Sequence, residues 1–101
     1  MDKRYFFYIL KCKDGTKYYG HTGNLYTRLS EHSKGRVSFT KNKRPIKLVF
    51  FKEFSSRSDA FRYEMQFKNG KTRKQTIEDL VRSFPIAKCQ GFNSHVLTKK
   101  N

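Results

Sequence analysis

Apolar residues along the chain fall into short runs of two different periods, separated by polar turns. Residues 5–12 (YFFYILKC) form an aromatic and β-branched run that predicts a strand. Asp14-Gly15 follows as a turn pair, and residues 17–21 (KYYGH) read as the returning strand of a hairpin. Thr22-Gly23-Asn24 then breaks the strand, and Thr22 or Asn24 can cap a helix over residues 25–34. Leu25, Leu29 and His32 share one face of that helix at i, i+4 and i+7, and Gly35 stops it. Residues 37–44 (VSFTKNKR) read as a basic loop without periodicity, closed by Pro45. Residues 47–54 (KLVFFKEF) are the third strand.

The second half is helical. Ser55, Ser56, Ser58 and Asp59 offer caps for a helix over about residues 59–69, which Asn69-Gly70 ends. Thr72 and Gln75 match a capping box, and the helix they open carries Ile77, Leu80, Val81 and Phe84 on one face. Pro85 stops it, and residues 86–101 carry weak patterning, as expected of a docked extension or a frayed tail. The order is β-β-α-β-α-α. It predicts an α+β fold, a three-stranded antiparallel sheet flanked by about three helices. With 101 residues, one domain is expected over residues 1–84, followed by a C-terminal extension over 85–101, docked or flexible.

Composition sharpens this picture. Aromatic residues at 16% can fill one modest core, which a disordered basic tail would lack. Lys+Arg 23 against Asp+Glu 8 gives a net charge of +15, a potential that draws polyanions, nucleic acid first among them. A plain soluble basic surface is the blander use of the same charge. A membrane is not expected, since no run approaches the ~20 apolar residues of a spanning helix. Cys12 and Cys89 show no metal-ligand spacing, so reduced thiols and a cytoplasmic setting are expected. The apolar run near the N-terminus is too short and too polar-flanked for a secretory signal.

The residues able to do chemistry gather around the hairpin. Tyr8 lies mid-strand and Tyr18 opens the second strand. Gly20, near that strand's end, lets backbone approach closely. Arg28 and His32 are one turn apart on the first helix, and Glu64 is an acid within the second. A carboxylate, a guanidinium, an imidazole and phenols converging on one sheet face would suit phosphodiester hydrolysis. The carboxylate would hold a Mg²⁺-type ion, the guanidinium would grip phosphate, and a Tyr or His would take a proton from water. Each has a plainer use. A strand Tyr packs in the core, Arg28 and His32 line a solvated helix face, and Glu64 pairs with Lys68 at i+4. Spacing alone reaches a basic α+β nucleic-acid binder.

Resemblance carries the reading further. Phe6-Phe7-Tyr8-Ile9-Leu10, Tyr18-Tyr19-Gly20, Arg28, His32 and the Ala60-x-x-x-Glu64 helix resemble, in order and spacing, the GIY-YIG nuclease superfamily. Arg44-Pro45-x-Lys47-Leu48-Val49 and Arg57-Ser58-x-Ala60 are similar to its small stand-alone, single-domain bacterial branch, related to the nuclease domain of an excision-repair subunit. The resemblance covers roughly residues 5–82. It implies a DNA endonuclease with a divalent metal ion, Mg²⁺ or Mn²⁺, and a tie to DNA repair. By position it implies catalytic roles for Tyr8, Tyr18, Arg28, His32 and Glu64, with Glu64 as metal ligand and Gly20 as the structural glycine of the second signature. Either signature tyrosine can serve as general base or water-orienting group, Tyr18 being favoured. Phe6-Phe7 replaces the family's glycine and isoleucine, and Tyr19 an aliphatic residue; these positions are expected to serve packing.

The basic residues Lys34, Arg36, Lys41, Lys43 and Arg44 are expected to clamp the DNA backbone beside this site, with Lys68 and Lys71 extending the surface. One basic face gives affinity without base readout, so little intrinsic sequence specificity is expected, and a homodimer or a protein partner would supply target selection. The rival reading is a non-catalytic nucleic-acid-binding module that retains the nuclease fold. An RNA-directed role has no signature in its favour.

Overall fold

The computed structural model of the protein describes residues 3–93. Its sheet has the order β2-β1-β3, built from β1 (Tyr5–Lys11), β2 (Lys17–Thr22) and β3 (Lys47–Phe54), all antiparallel. The helices among the described residues are α1 (Leu25–Ser33), α2 (Ser38–Lys41), α3 (Arg57–Lys68), α4 (Lys74–Ser83) and α5 (Ile86–Phe92). The α+β class and the three-stranded sheet agree with the sequence reading.

The alternation of β1 decides where everything else sits. Tyr8 and Leu10 point to one face and join Leu25, Leu29, Ile46, Leu48 and Cys89 in a buried cluster beneath α1 and α5. Phe7 and Ile9 point to the other and meet Phe50, Phe67 and Ile77 beneath α3 and α4. Leu48 and Phe50 are two apart, yet they serve opposite faces. The register between β1 and β3 slips at Ile9/Leu10, so Val49 is an extra residue on β3 that turns the strand over.

Phe7, fully buried, is ringed by Tyr63 at 4.9 Å, Phe67 at 4.7 Å and Phe50 at 6.1 Å. Tyr19 packs on the same Phe67 ring at 5.4 Å. Of the three aromatic departures from the family pattern, Phe7 and Tyr19 thus fill one aromatic cluster on the α3 face, whereas Phe6 packs toward the other, edge-on to Phe51 at 6.3 Å. Burying a side chain of this size contributes about 1.5–3 kcal/mol.

Three local expectations are corrected. The stretch read as an aperiodic basic loop contains α2, a single turn too short to show a period. The Thr72/Gln75 capping box does not form: α4 begins after Arg73, Thr72 turns back to the Gln66 carbonyl at 3.4 Å, and Gln75 reaches Asp79 at 3.0 Å. The second helix starts two residues earlier than read, because Ser56 caps it by accepting from the Asp59 N–H at 3.2 Å. Helices α2 and α5 raise the count above the three expected. Helix α5 buries Cys89, and Asn93 beyond it accepts from the Leu48 N–H at 2.9 Å and donates to the Leu48 carbonyl at 3.1 Å, closing part of the β3 edge. For the extension expected over residues 85–101, residues 94–101 lie outside the described residues.

Candidate active site

The site forms at the free edge of β2, where the two faces of the sheet meet. On the α1 face, Tyr8 lies opposite Gly20 and Leu10 opposite Tyr18. A Cβ on Gly20 would stand 2.6 Å from the Tyr8 phenol oxygen, so the glycine makes the space that the phenol fills. Helix α1 is started by Asn24, whose side chain accepts from the Thr27 N–H at 3.0 Å. This cap fixes the helix rotation that buries Leu25, Leu29 and His32 together.

His32 is therefore no part of a solvated face; it is fully buried. Its Nε2 lies 3.0 Å from the Tyr8 phenol oxygen and its Nδ1 2.8 Å from Thr40 Oγ1. Burial, and then the nearby charge of Arg28, push its pKa down to about 4, so the imidazole is neutral. Tyr8 is fully buried as well. Burial, with the neighbouring Tyr18, raises its pKa above the phenol range, against the opposing pull of Arg28. Burial works against the charge on Arg28, yet interactions with Tyr8, Glu31 and Tyr18 outweigh it and hold the guanidinium firmly charged. Arg28 is also paired with Glu31 at 3.0 Å. Tyr18, half-buried, packs against the His32 ring at 4.8 Å and against the exposed Phe39 at 5.4 Å.

The acid arrives from the other face. His21 follows Gly20 on β2, and strand alternation turns it toward α3. Its Nδ1 lies 2.6 Å from Glu64 Oε1. Lys68, one turn along α3, places Nζ 2.5 Å from Glu64 Oε2 and 5.8 Å from the centre of the Tyr18 ring. The Glu64 carboxylate is nearly buried, and its charge is felt at the Tyr8 phenol. The expectation that these groups converge on a single sheet face is corrected: Tyr8, Tyr18, Arg28 and His32 come from one face, Glu64 from the other, and Lys68 spans the edge between them.

The basic residues divide by what they touch. Lys34, Arg36 and Lys41 are exposed around the end of α1 and in α2. Arg44 folds back onto the carbonyls of Lys41 at 3.0 Å and Ser33 at 3.2 Å, which ties the α2 segment to α1. Lys43 lies 4.0 Å over the Phe39 ring and 3.9 Å from Asp14. Lys68 is engaged by Glu64, and Lys71 is exposed just beyond Gly70. Two contributors escaped the sequence reading. His21 is flagged only by its position, one residue past Gly20 and so on the opposite face. Thr40 has no sequence signal, since one helical turn shows no period.

Comparison with known proteins follows the same residues. Residues 4–78 match the family model described as the GIY-YIG catalytic domain. The chain belongs to the GIY-YIG family. Relatives of this GIY-YIG chain include a UPF0213 protein of Pediococcus pentosaceus, 40% identical over 80 residues, 78% of this chain and 83% of that protein. The UPF0213 protein YazA of Bacillus subtilis is 36% identical over 74 residues, covering 72% of this chain and 75% of its own. Among solved structures, the solution NMR structure of the UPF0213 protein BH0048 from Bacillus halodurans matches with a TM-score of 0.50 and 28% identity. That match covers 96% of this chain and 99% of the other. Its relatives thus join the small stand-alone branch of the GIY-YIG family, and membership of that family points to nuclease chemistry on DNA. Among the described residues of this GIY-YIG chain no helix is long and apolar enough to cross a membrane.

Proposed function

We propose that this protein is a metal-dependent endonuclease that hydrolyses DNA phosphodiester bonds with little intrinsic sequence specificity. The observation that carries the reading is the meeting of Glu64, Lys68, Tyr18 and Arg28 at one sheet edge, under a chain charge of +15. The donor set fits a hard, hydrated divalent ion. Among the described residues no three or more His, Cys, Asp or Glu gather where they could hold a metal ion, so substrate and water would have to complete its shell. What the site offers is one nearly buried carboxylate whose two oxygens already face nitrogen donors. Mg²⁺ is commonly held by one or two carboxylates together with waters and substrate phosphate. Glu64 would hold it, with His21 orienting the carboxylate. When bound, the ion would act as a Lewis acid on the scissile phosphate and offset charge on the leaving oxygen.

The chain's own groups take the remaining roles. Arg28 has donors only and is held charged, so it grips a non-bridging phosphate oxygen and stabilises charge that builds in the transition state. Tyr18 is the phenol with access to solvent, whereas Tyr8 is fully enclosed. Tyr18 is accordingly the group whose oxygen accepts a hydrogen bond from the attacking water and orients it. Tyr8 and His32 form the buried support behind Arg28. Lys34, Arg36 and Lys41 hold the DNA backbone through charge, and a reading by phosphate contacts predicts affinity without base selection.

The test is incubation of circular and branched DNA with Mg²⁺ or Mn²⁺, comparing the natural protein with Glu64→Ala and Arg28→Ala. Cleavage by the natural protein alone is expected. Equal cleavage by all three overturns the assignment.

A further inference from the structure

Helix α3 lies along β2 in the opposite chain direction, and the contacts between them run in order. Lys68 reaches the Tyr18 ring at 5.8 Å, Glu64 meets His21 at 2.6 Å, and the Phe61 ring packs against that of His21 at 5.7 Å. Arg57 comes last, with its Nη2 3.7 Å from where a Cβ on Gly23 would stand, just past the end of the strand. These four residues recur at i, i+4, i+7 and i+11, which places them on one face of the helix.

Two members of this stripe are unused by the proposed site. Phe61 is 46% exposed. Arg57 is exposed and rests on the Tyr5 ring at 4.9 Å. The other cations of α3 have acids, Arg62 pairing with Asp59 and Lys68 with Glu64. Among the described residues Arg57 has no acid partner, and a guanidinium lying on a ring keeps its N–H edge free for phosphate. Beside it the surface opens into a cleft of about 400 Å³ lined by Lys3, Arg4, Tyr5, Gly23 and Arg57. The adjoining groove, about 840 Å³, has one acid in its wall, Glu53, and Arg4 holds it. Positive charge in excess beside an open aromatic ring suits a single nucleic-acid strand, because cations follow the backbone while rings take bases.

We infer that α3 carries a strand-binding track leading out of the proposed site, in which Phe61 stacks on an unpaired base and Arg57 holds a backbone phosphate. Arg57 precedes Glu64 by two helical turns, about 10 Å, so that phosphate lies about three nucleotides from the scissile one at the 3.4 Å rise of a strand. The track deepens the nuclease reading and rests on it for its direction; its binding chemistry needs no cleavage.

Binding is measured in chelator with short oligothymidine. The chain contains no tryptophan, so Phe61→Trp places a single reporter in the track. Its emission should be quenched as the oligonucleotide saturates the protein, and heparin, a polyanion without bases, should leave it unchanged. Phe61→Leu should weaken the single strand roughly 5- to 150-fold, the worth of one base stack, and a blunt duplex far less. Arg57→Gln should lower the log–log salt slope for the single strand by about 0.7, one phosphate's share. Both side chains are exposed, so urea midpoints of the variants should match that of the natural protein. Failure to bind the single strand, unquenched emission at saturation, or an equal change with heparin overturns the inference. So does equal weakening of strand and duplex by Phe61→Leu, or an unaltered slope in Arg57→Gln. Quenching in a protein that cuts no DNA with Mg²⁺ or Mn²⁺ would leave the track standing and remove the nuclease reading.

Discussion

The phenol oxygen of Tyr8 occupies the volume where a side chain on Gly20 would begin. An added Cβ would stand 2.6 Å from that oxygen and 2.7 and 2.9 Å from the ring carbons Cζ and Cε1. Gly20 has an ordinary backbone conformation, so its glycine is required by the neighbour across the strand and not by a turn.

Gly20→Ala is therefore expected to destabilise the fold by about 1–3 kcal/mol, the usual cost of overpacking, and to displace Tyr8 from His32. Urea unfolding measures the first effect. Adding Tyr8→Phe should not rescue it, because the ring carbons clash as well. Full rescue by that second change would show that the hydroxyl alone sets the fit.

His32 predicts a pH dependence of stability. Its folded pKa is pushed down to about 4 from an ordinary value of 6.5. Between those values the unfolded chain takes up a proton that the folded chain refuses, so stability falls as pH drops from about 6.5 toward 4. The loss attributable to this group is at most roughly 3 kcal/mol. Comparing urea midpoints of the natural protein and His32→Gln across that window should show a flatter profile in the variant.

The α2 segment predicts a split among its cations. Replacing Lys34, Arg36 and Lys41 with glutamine should leave folding nearly unchanged and flatten the log–log salt dependence of DNA binding by about two to three units. Arg44→Gln should instead lower stability, since Arg44 holds the Lys41 and Ser33 carbonyls. An unaltered salt slope in the triple variant would remove these residues from the DNA surface.

Asn93 gives a fourth expectation. Its amide satisfies both the N–H and the carbonyl of Leu48 on the outer strand. Asn93→Ala should cost about 1–3 kcal/mol in thermal or urea unfolding. No loss would mean that α5 is not held to the sheet through this residue.

Strong periods were legible in the sequence, and weak or absent ones were not. The aromatic and β-branched runs at Tyr5–Lys11 and Lys47–Phe54 and the helical spacing of Ile77, Leu80, Val81 and Phe84 are long enough to show, and they set the architecture. The single turn of α2 carries no period, so Thr40 stayed hidden although it is fully buried. The burial of His32 was half visible, through its shared face with Leu25 and Leu29. Strand alternation alone sets His21 and Gly20 on different sides, but that Glu64 meets His21 there depends on the face against which α3 packs, a tertiary contact that no local period encodes.

Single-turnover cleavage of a supercoiled circle in Mg²⁺, by the natural protein and by Glu64→Gln at equal DNA-binding saturation, tests the central claim most directly. The account predicts metal-dependent nicking by the natural protein, abolished by chelation, and a loss of several orders of magnitude in the variant with its fold and DNA affinity retained. Nicking by Glu64→Gln at the natural rate would contradict it.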